Sequence, residues 1–133
     1  ERLRFHQLDR KARRRLIERL RDALSRYDFI LLAVVHGSIL RDHPFRDVDV
    51  AVYTGGDVDP LDCKLRLDEE LSKNLGYPVD VRVLDDAPHW FTLNVLEIGE
   101  VLLERVQGLV EGLYKKALDE RAFIEGGASE RLG

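Results

Sequence analysis

Two short stretches of strict valine alternation constrain this chain more than anything else in it. Residues 47–53 read Asp-Val-Asp-Val-Ala-Val-Tyr, and residues 79–84 read Val-Asp-Val-Arg-Val-Leu. Successive residues of a strand point to opposite sides of its sheet. Val48, Val50 and Val52 therefore share one face, with Asp47, Asp49 and Ala51 on the other. In the second stretch Val79, Val81 and Val83 oppose Asp80, Arg82 and Leu84 in the same way. Each stretch is a strand with one buried face. The continuous apolar run Phe29–Val35, bounded by Asp28 and by His36-Gly37, adds a third strand, buried on both sides and hence central.

Helical periodicity fills the remainder. Leu8, Ala12, Leu16, Leu20, Ala23, Leu24 and Tyr27 recur at three- and four-residue spacing, which predicts an amphipathic helix over 8–26. A second helix is predicted over 61–75, stopped by Gly76 and Pro78, a third over 89–98, and a last one over 109–124 before a frayed tail. Residues 38–41 read as the first turn of a short helix or a loop, 54–57 as a turn, and 99–106 as a short edge strand.

The sequence has 133 residues, of which 44% are hydrophobic. That suits one globular domain spanning 1–133, with no room for a second. No apolar run approaches the length that crosses a bilayer, and the arginine-rich start shows no secretory signal, so a cytoplasmic protein without a membrane partner is expected. The lone cysteine, Cys63, reads as a small apolar residue on a helix. Charge is split unevenly. Residues 1–26 carry a net +6 and the remainder a net −10. The basic segment suits an arm for nucleic acid or for an acidic surface, or else a solvated helix face. The last is the commoner use of a charge run, which makes nucleic acid the weaker partner.

Chemistry concentrates between His36 and Asp80. Gly37-Ser38 follows the central strand directly. A glycine there allows a sharp turn and close approach to a ligand, and a helix starting at Ser38 would aim its free amides at phosphate oxygens. Asp47 and Asp49 share a strand face, where two unpaired carboxylates repel unless a cation joins them, and hard oxygen ligands suit Mg²⁺ or Mn²⁺. If the strand of Asp80 neighbours theirs with its valines toward the same core, all three aspartates lie on one side of the sheet. Such a triad could bind metal ions, hold the phosphates of an NTP and activate an acceptor hydroxyl.

His36-Gly37-Ser38, Arg41, Asp47-Val48-Asp49-Val50 and Asp80 on a later strand together resemble the polymerase β-type nucleotidyltransferase superfamily. The short chain resembles its minimal nucleotidyltransferase (MNT) branch. The likeness covers 28–84 at motif level, and the spacing from Ser38 to Asp47 is shorter than in many members. It implies an α+β nucleotidyltransferase fold, a mixed sheet with helices packed mainly on one face. It implies further that Gly37, Ser38 and Arg41 bind the nucleotide, and that Asp47, Asp49 and Asp80 are catalytic and hold Mg²⁺ or Mn²⁺. ATP would be the substrate and AMP the group transferred. Arg46 could assist with phosphate charge. His36 reads as packing or as a backbone hydrogen bond, His43 as a loop residue, and His6 and His89 show no ligand spacing.

Two other readings compete. Haloacid dehalogenase-type phosphatases also carry an Asp-x-Asp motif, but there the apolar strand precedes the first aspartate, whereas here Pro44-Phe45-Arg46 precedes and the valines follow. The stronger rival is a binding role. Minimal nucleotidyltransferases resemble the antitoxin partners of HEPN-domain toxins, and such a chain could mask its toxin without catalysis. With no acceptor domain of its own, the chain is expected to find its acceptor hydroxyl on a HEPN-type partner. Self-association is left open by the sequence.

Overall fold

The computed structural model describes residues 4–132, with side chains described for 4–126. Helix α1 spans Arg10–Leu24 and is capped by Asp9, whose carboxylate accepts the Ala12 N–H at 2.8 Å. Strand β1 (Leu32–His36) leads into a short 3₁₀ helix (Gly37–Leu40), and β2 covers Val48–Tyr53. Helix α2 (Pro60–Leu75) starts with Asp59 as its cap and a proline in its first turn, and ends where Gly76 turns left-handed at φ +80°. Strand β3 (Val79–Val83), helix α3 (His89–Ile98), strand β4 (Glu100–Glu104) and helix α4 (Leu109–Leu132) complete the order.

The sheet runs β3-β2-β1-β4. β1 pairs antiparallel with β2 and with β4, while β2 pairs parallel with β3, so the sheet is mixed and β1 and β2 are central. The valine alternation sorts its two faces. Val35, Val48, Val50, Val52, Val79 and Val81 meet Leu16, Leu20, Leu24, Cys63, Leu67 and Leu71 of α1 and α2 in the larger core. On the opposite face Leu32, Val34 and Ala51 form a smaller cluster with Leu84 and Val95, against which Phe91, Leu109, Val110 and Leu113 pack. The bulk of the helical packing thus lies on one face, and α3 and α4 close only part of the other. The aspartates share that partly covered face.

Three boundaries differ from the sequence reading. The apolar run becomes regular strand only at Leu32, because a turn after α1 takes Ile30, whose N–H bonds the Tyr27 carbonyl at 3.1 Å. Regular pairing in β4 is confined to Glu100–Glu104. Helix α4 continues through Gly126-Gly127 to Leu132 instead of fraying after Ile124; a glycine weakens a helix by only about 1 kcal/mol and need not end it. Among the described residues no helix is long and apolar enough to cross a membrane.

β3 lies at a sheet edge, and side chains of the helix beside it satisfy three of its outward backbone groups. Ser72, Asp68 and Lys64 sit four residues apart on α2. Ser72 Oγ accepts the Val79 N–H at 2.9 Å, Asp68 Oδ1 accepts the Val81 N–H at 2.7 Å, and Lys64 Nζ donates to the Val81 carbonyl at 2.9 Å.

Candidate active site: an acidic triad on the half-covered sheet face

Strand register builds the site. In the antiparallel pair His36 stands opposite Asp49, and in the parallel pair Asp49 stands opposite Asp80. Directly paired residues point the same way, so His36, Asp49 and Asp80 form one transverse row across β1, β2 and β3. Asp47 precedes β2 by one residue and reaches the same face. Each of Asp47, Asp49 and Asp80 offers a carboxylate oxygen within 4.8 Å of the others, and all three are half-buried.

The electrostatics show a cluster short of positive charge at one end and supplied with it at the other. Burial, the charges of Asp47 and Asp80, and a hydrogen bond with Asp47 push Asp49 up to about 7, against a smaller pull from Arg82. Asp80 behaves oppositely. Burial disfavours its charge, yet Lys64 Nζ at 2.7 Å and Arg82 Nε at 3.4 Å hold it below the usual carboxylate value. Lys64 is itself partly buried, which lowers its affinity for a proton, but its bonds to Asp80 and to Asp68 (3.0 Å) raise it more. Three converging carboxylates, one of them pushed up by burial and by its neighbours' charges, are a donor set that fits a hard divalent cation.

Gly37 brings the turn after β1 against these acids. Its φ is +82°, and a Cβ there would run into the Asp49 carboxylate. Gly37→Ala is therefore expected to displace Asp49, with about 1–2 kcal/mol of backbone strain, and, if the acids and the turn bind metal and ATP as the family resemblance implies, to weaken that binding at least about tenfold. Titration calorimetry with and without Mg²⁺ checks it; unchanged affinity would show that the close approach is incidental.

The turn is anchored from behind by Arg13, which sequence reasoning passed over. This α1 side chain is 5% exposed. Its guanidinium donates to the carbonyls of Leu8 (3.2 Å), Ser38 (3.4 Å), Ile39 (3.0 Å) and His43, and lies 5.5 Å from the centre of the Phe45 ring. A signal existed: Arg13 precedes the buried Leu16 and Ile17 by three and four residues, on the same helix stripe.

Of the other residues singled out, Ser38 lies in the anchored turn beside Gly37. Arg41 ends the turn in extended backbone and lines a cleft with Arg10, Arg14 and Glu100, to which none of the three aspartates contributes. Arg46 is exposed. His36 packs edge-on against Phe91 with ring centres 5.8 Å apart, and its buried Nε2 has no hydrogen-bond partner among the described residues. Burial, then the charge of Arg82, keeps its affinity for a proton below the ordinary histidine value, with Asp80 opposing. Lys64 and Arg82 were not singled out. Arg82 could have been found two residues beyond Asp80, on the same strand face.

The family model described as polymerase beta, nucleotidyltransferase, matches residues 18–107. No curated protein matches the sequence. Among solved structures the chain is similar to a toxin–antitoxin MntA–HepT crystal structure at 19% identity and a TM-score of 0.64, covering 93% of this chain and 96% of that one. A toxin–antitoxin structure with AMP-PNP is similar at 21% identity and a TM-score of 0.67, covering 90% and 94%. A structure of tri-AMPylated Shewanella oneidensis HEPN toxin in complex with MNT antitoxin is similar at 20% identity and a TM-score of 0.64, covering 94% and 96%. At such identities the likeness is one of fold. The family match spans more than half of the chain, takes in the turn at Gly37 and all three aspartates, and shows that the chain belongs to the polymerase β nucleotidyltransferase family.

Proposed function

We propose that this chain is a metal-dependent adenylyltransferase that moves AMP from ATP onto a hydroxyl of a HEPN-type toxin and thereby acts as its antitoxin. The observation that carries the reading is the convergence of Asp47, Asp49 and Asp80 beside the Gly37 turn. The structural likeness to MNT antitoxins, one of them in complex with an AMPylated HEPN toxin, supports the choice of partner, and the AMP-PNP structure supports ATP. Residues 1–133 would act as one minimal catalytic domain, in the cytoplasm where ATP is available.

In this reading Gly37 and Ser38 hold the triphosphate, with Arg13 fixing their turn. Arg41 faces a separate cleft and would have to swing to reach the phosphates. Asp47, Asp49 and Asp80 would hold Mg²⁺ or Mn²⁺, which when bound neutralises phosphate charge and makes an acceptor hydroxyl more acidic. Asp49 would bind the cation as its ionised carboxylate. Asp80, kept ionised by Lys64 and Arg82, faces the incoming hydroxyl and takes its proton on the way to solvent.

Intact mass of a co-expressed HEPN-domain partner tests the reading. AMP units added by the unaltered chain, but not by the Asp47→Asn, Asp49→Asn double variant, are the expected result. A toxin silenced equally by both chains with no mass change would make this protein a masking partner.

A further inference from the structure

Resting on the transfer reading above, we infer that the acceptor reaches the acids from the β3 edge of the sheet. The entry is a cleft of about 400 Å³ between the starts of α2 and α3. Its occupant is a peptide segment of the acceptor protein that carries a large apolar side chain beside the hydroxyl.

Strand order sets the direction of approach. The Gly37-Ser38 turn follows β1, the acids stand on β2 and β3, and β3 lies beyond β2 as seen from β1. An in-line displacement places the attacking and leaving oxygens on opposite sides of the α-phosphorus. With the pyrophosphate end at the turn, on the β1 side, the hydroxyl attacks from the β3 side. Its oxygen forms the new bond to the α-phosphorus as the bond to the pyrophosphate oxygen breaks. The proton passes to the Asp80 carboxylate and on to solvent.

The cleft opens on that side. Leu61 and Lys64 of α2, Arg82 of β3, and Trp90 and Phe91 of α3 line it. None of the three aspartates lines it, but it adjoins them: Lys64 and Arg82, which form its wall, are the two cations bonded to Asp80. Arg82 also lies 6.0 Å from the centre of the Phe91 ring, so that α3 and the acid row share one wall. At the rim two large apolar side chains stand in solvent, Trp90 at 64% exposure and Leu61 at 62%. A bare hydroxyl compound would leave both uncovered. A peptide segment with an apolar side chain next to its hydroxyl covers them and shields the point of attack from water. A nucleobase is the other flat group that could lie against Trp90, and ATP affinity distinguishes it.

The test uses full-length chains with the HEPN-domain partner as acceptor, comparing the unaltered protein with Trp90→Ala, with a Leu61→Ser, Trp90→Ala double variant and with Trp90→Phe. Both side chains are exposed, so the fold tolerates the changes. Expected is a rise of tenfold or more in KM for the partner in the double variant, a kcat within threefold, ATP affinity with Mg²⁺ within twofold, and near-complete recovery in Trp90→Phe. Weakened ATP binding with an unchanged partner KM would assign the cleft to the nucleobase and overturn the inference, as would no change in either. If the unaltered chain adds no AMP to the partner, the transfer reading falls and this one with it. If it does, and the variants match it, only the cleft is lost.

Discussion

Arg13→Met is expected to lower the stability of the chain by about 3 kcal/mol or more. Methionine fills the space of the guanidinium stem and can still touch Phe45, but it donates nothing. The carbonyls of Leu8, Ile39 and His43 lose this donor, while that of Ser38 keeps the Arg41 N–H at 3.0 Å. Each buried acceptor left unpaired costs about 1–3 kcal/mol, reduced here because water can reach the more open ones. For a chain of this size the melting temperature should fall by about 10 °C. Arg13→Lys should recover less than half of that, since one ammonium cannot span four carbonyls on two separate segments. Urea unfolding of the three proteins checks the order. A loss below about 1 kcal/mol would mean that the turn holds itself and that Arg13 merely packs.

Asp49→Asn should separate activity from stability in opposite directions. Asparagine keeps the shape of the carboxylate and removes its charge, so the proposed AMP transfer should drop by about a thousandfold or more. The metal-free fold should become firmer. In the native chain Asp49 holds its proton up to about 7, whereas its ordinary value is 3.8. Between those limits the folded state binds more protons than the unfolded one, so stability falls as pH rises from about 4 to 7 and then levels off. A fully dry group with this displacement would contribute about 4 kcal/mol, and solvent at a half-buried site brings the figure to about 2. In EDTA at pH 8, Asp49→Asn should therefore unfold at higher urea than the native chain, and at pH 4 the two should nearly coincide. Adding Mg²⁺ at pH 8 should favour the native chain alone. A variant no more stable than the native chain at pH 8 without metal would show that the carboxylates do not strain one another.

These effects were unequally visible in the sequence. The valine alternation announced β2, β3 and the shared face of the aspartates because a period of two does not depend on what packs against it. Arg82 was equally open to that logic. Lys64 was not: which α2 side chain reaches Asp80 depends on how that helix lies across the edge of β3, a tertiary matter that no local spacing records. Arg13 was lost among the cations of residues 1–26, whose common use is solvation, although its place on the Leu16–Leu20 stripe marked it as buried. Arg41 was assigned to the phosphates only by the family resemblance; extended backbone at the end of the 3₁₀ turn sets it on the cleft beside Arg10 and Glu100.

The Ser72, Asp68 and Lys64 stripe along β3 has a consequence for assembly. A bare edge strand is a template on which another chain can add a strand, productively as β-augmentation or harmfully as amyloid-like stacking. Here the outward N–H groups of Val79 and Val81 and the Val81 carbonyl are already taken by helix side chains. A protein docking on this side must be read through side chains and surface shape, not by backbone pairing. Extension of the sheet at β3 would first require α2 to lift away, which would also release Asp80 from its lysine.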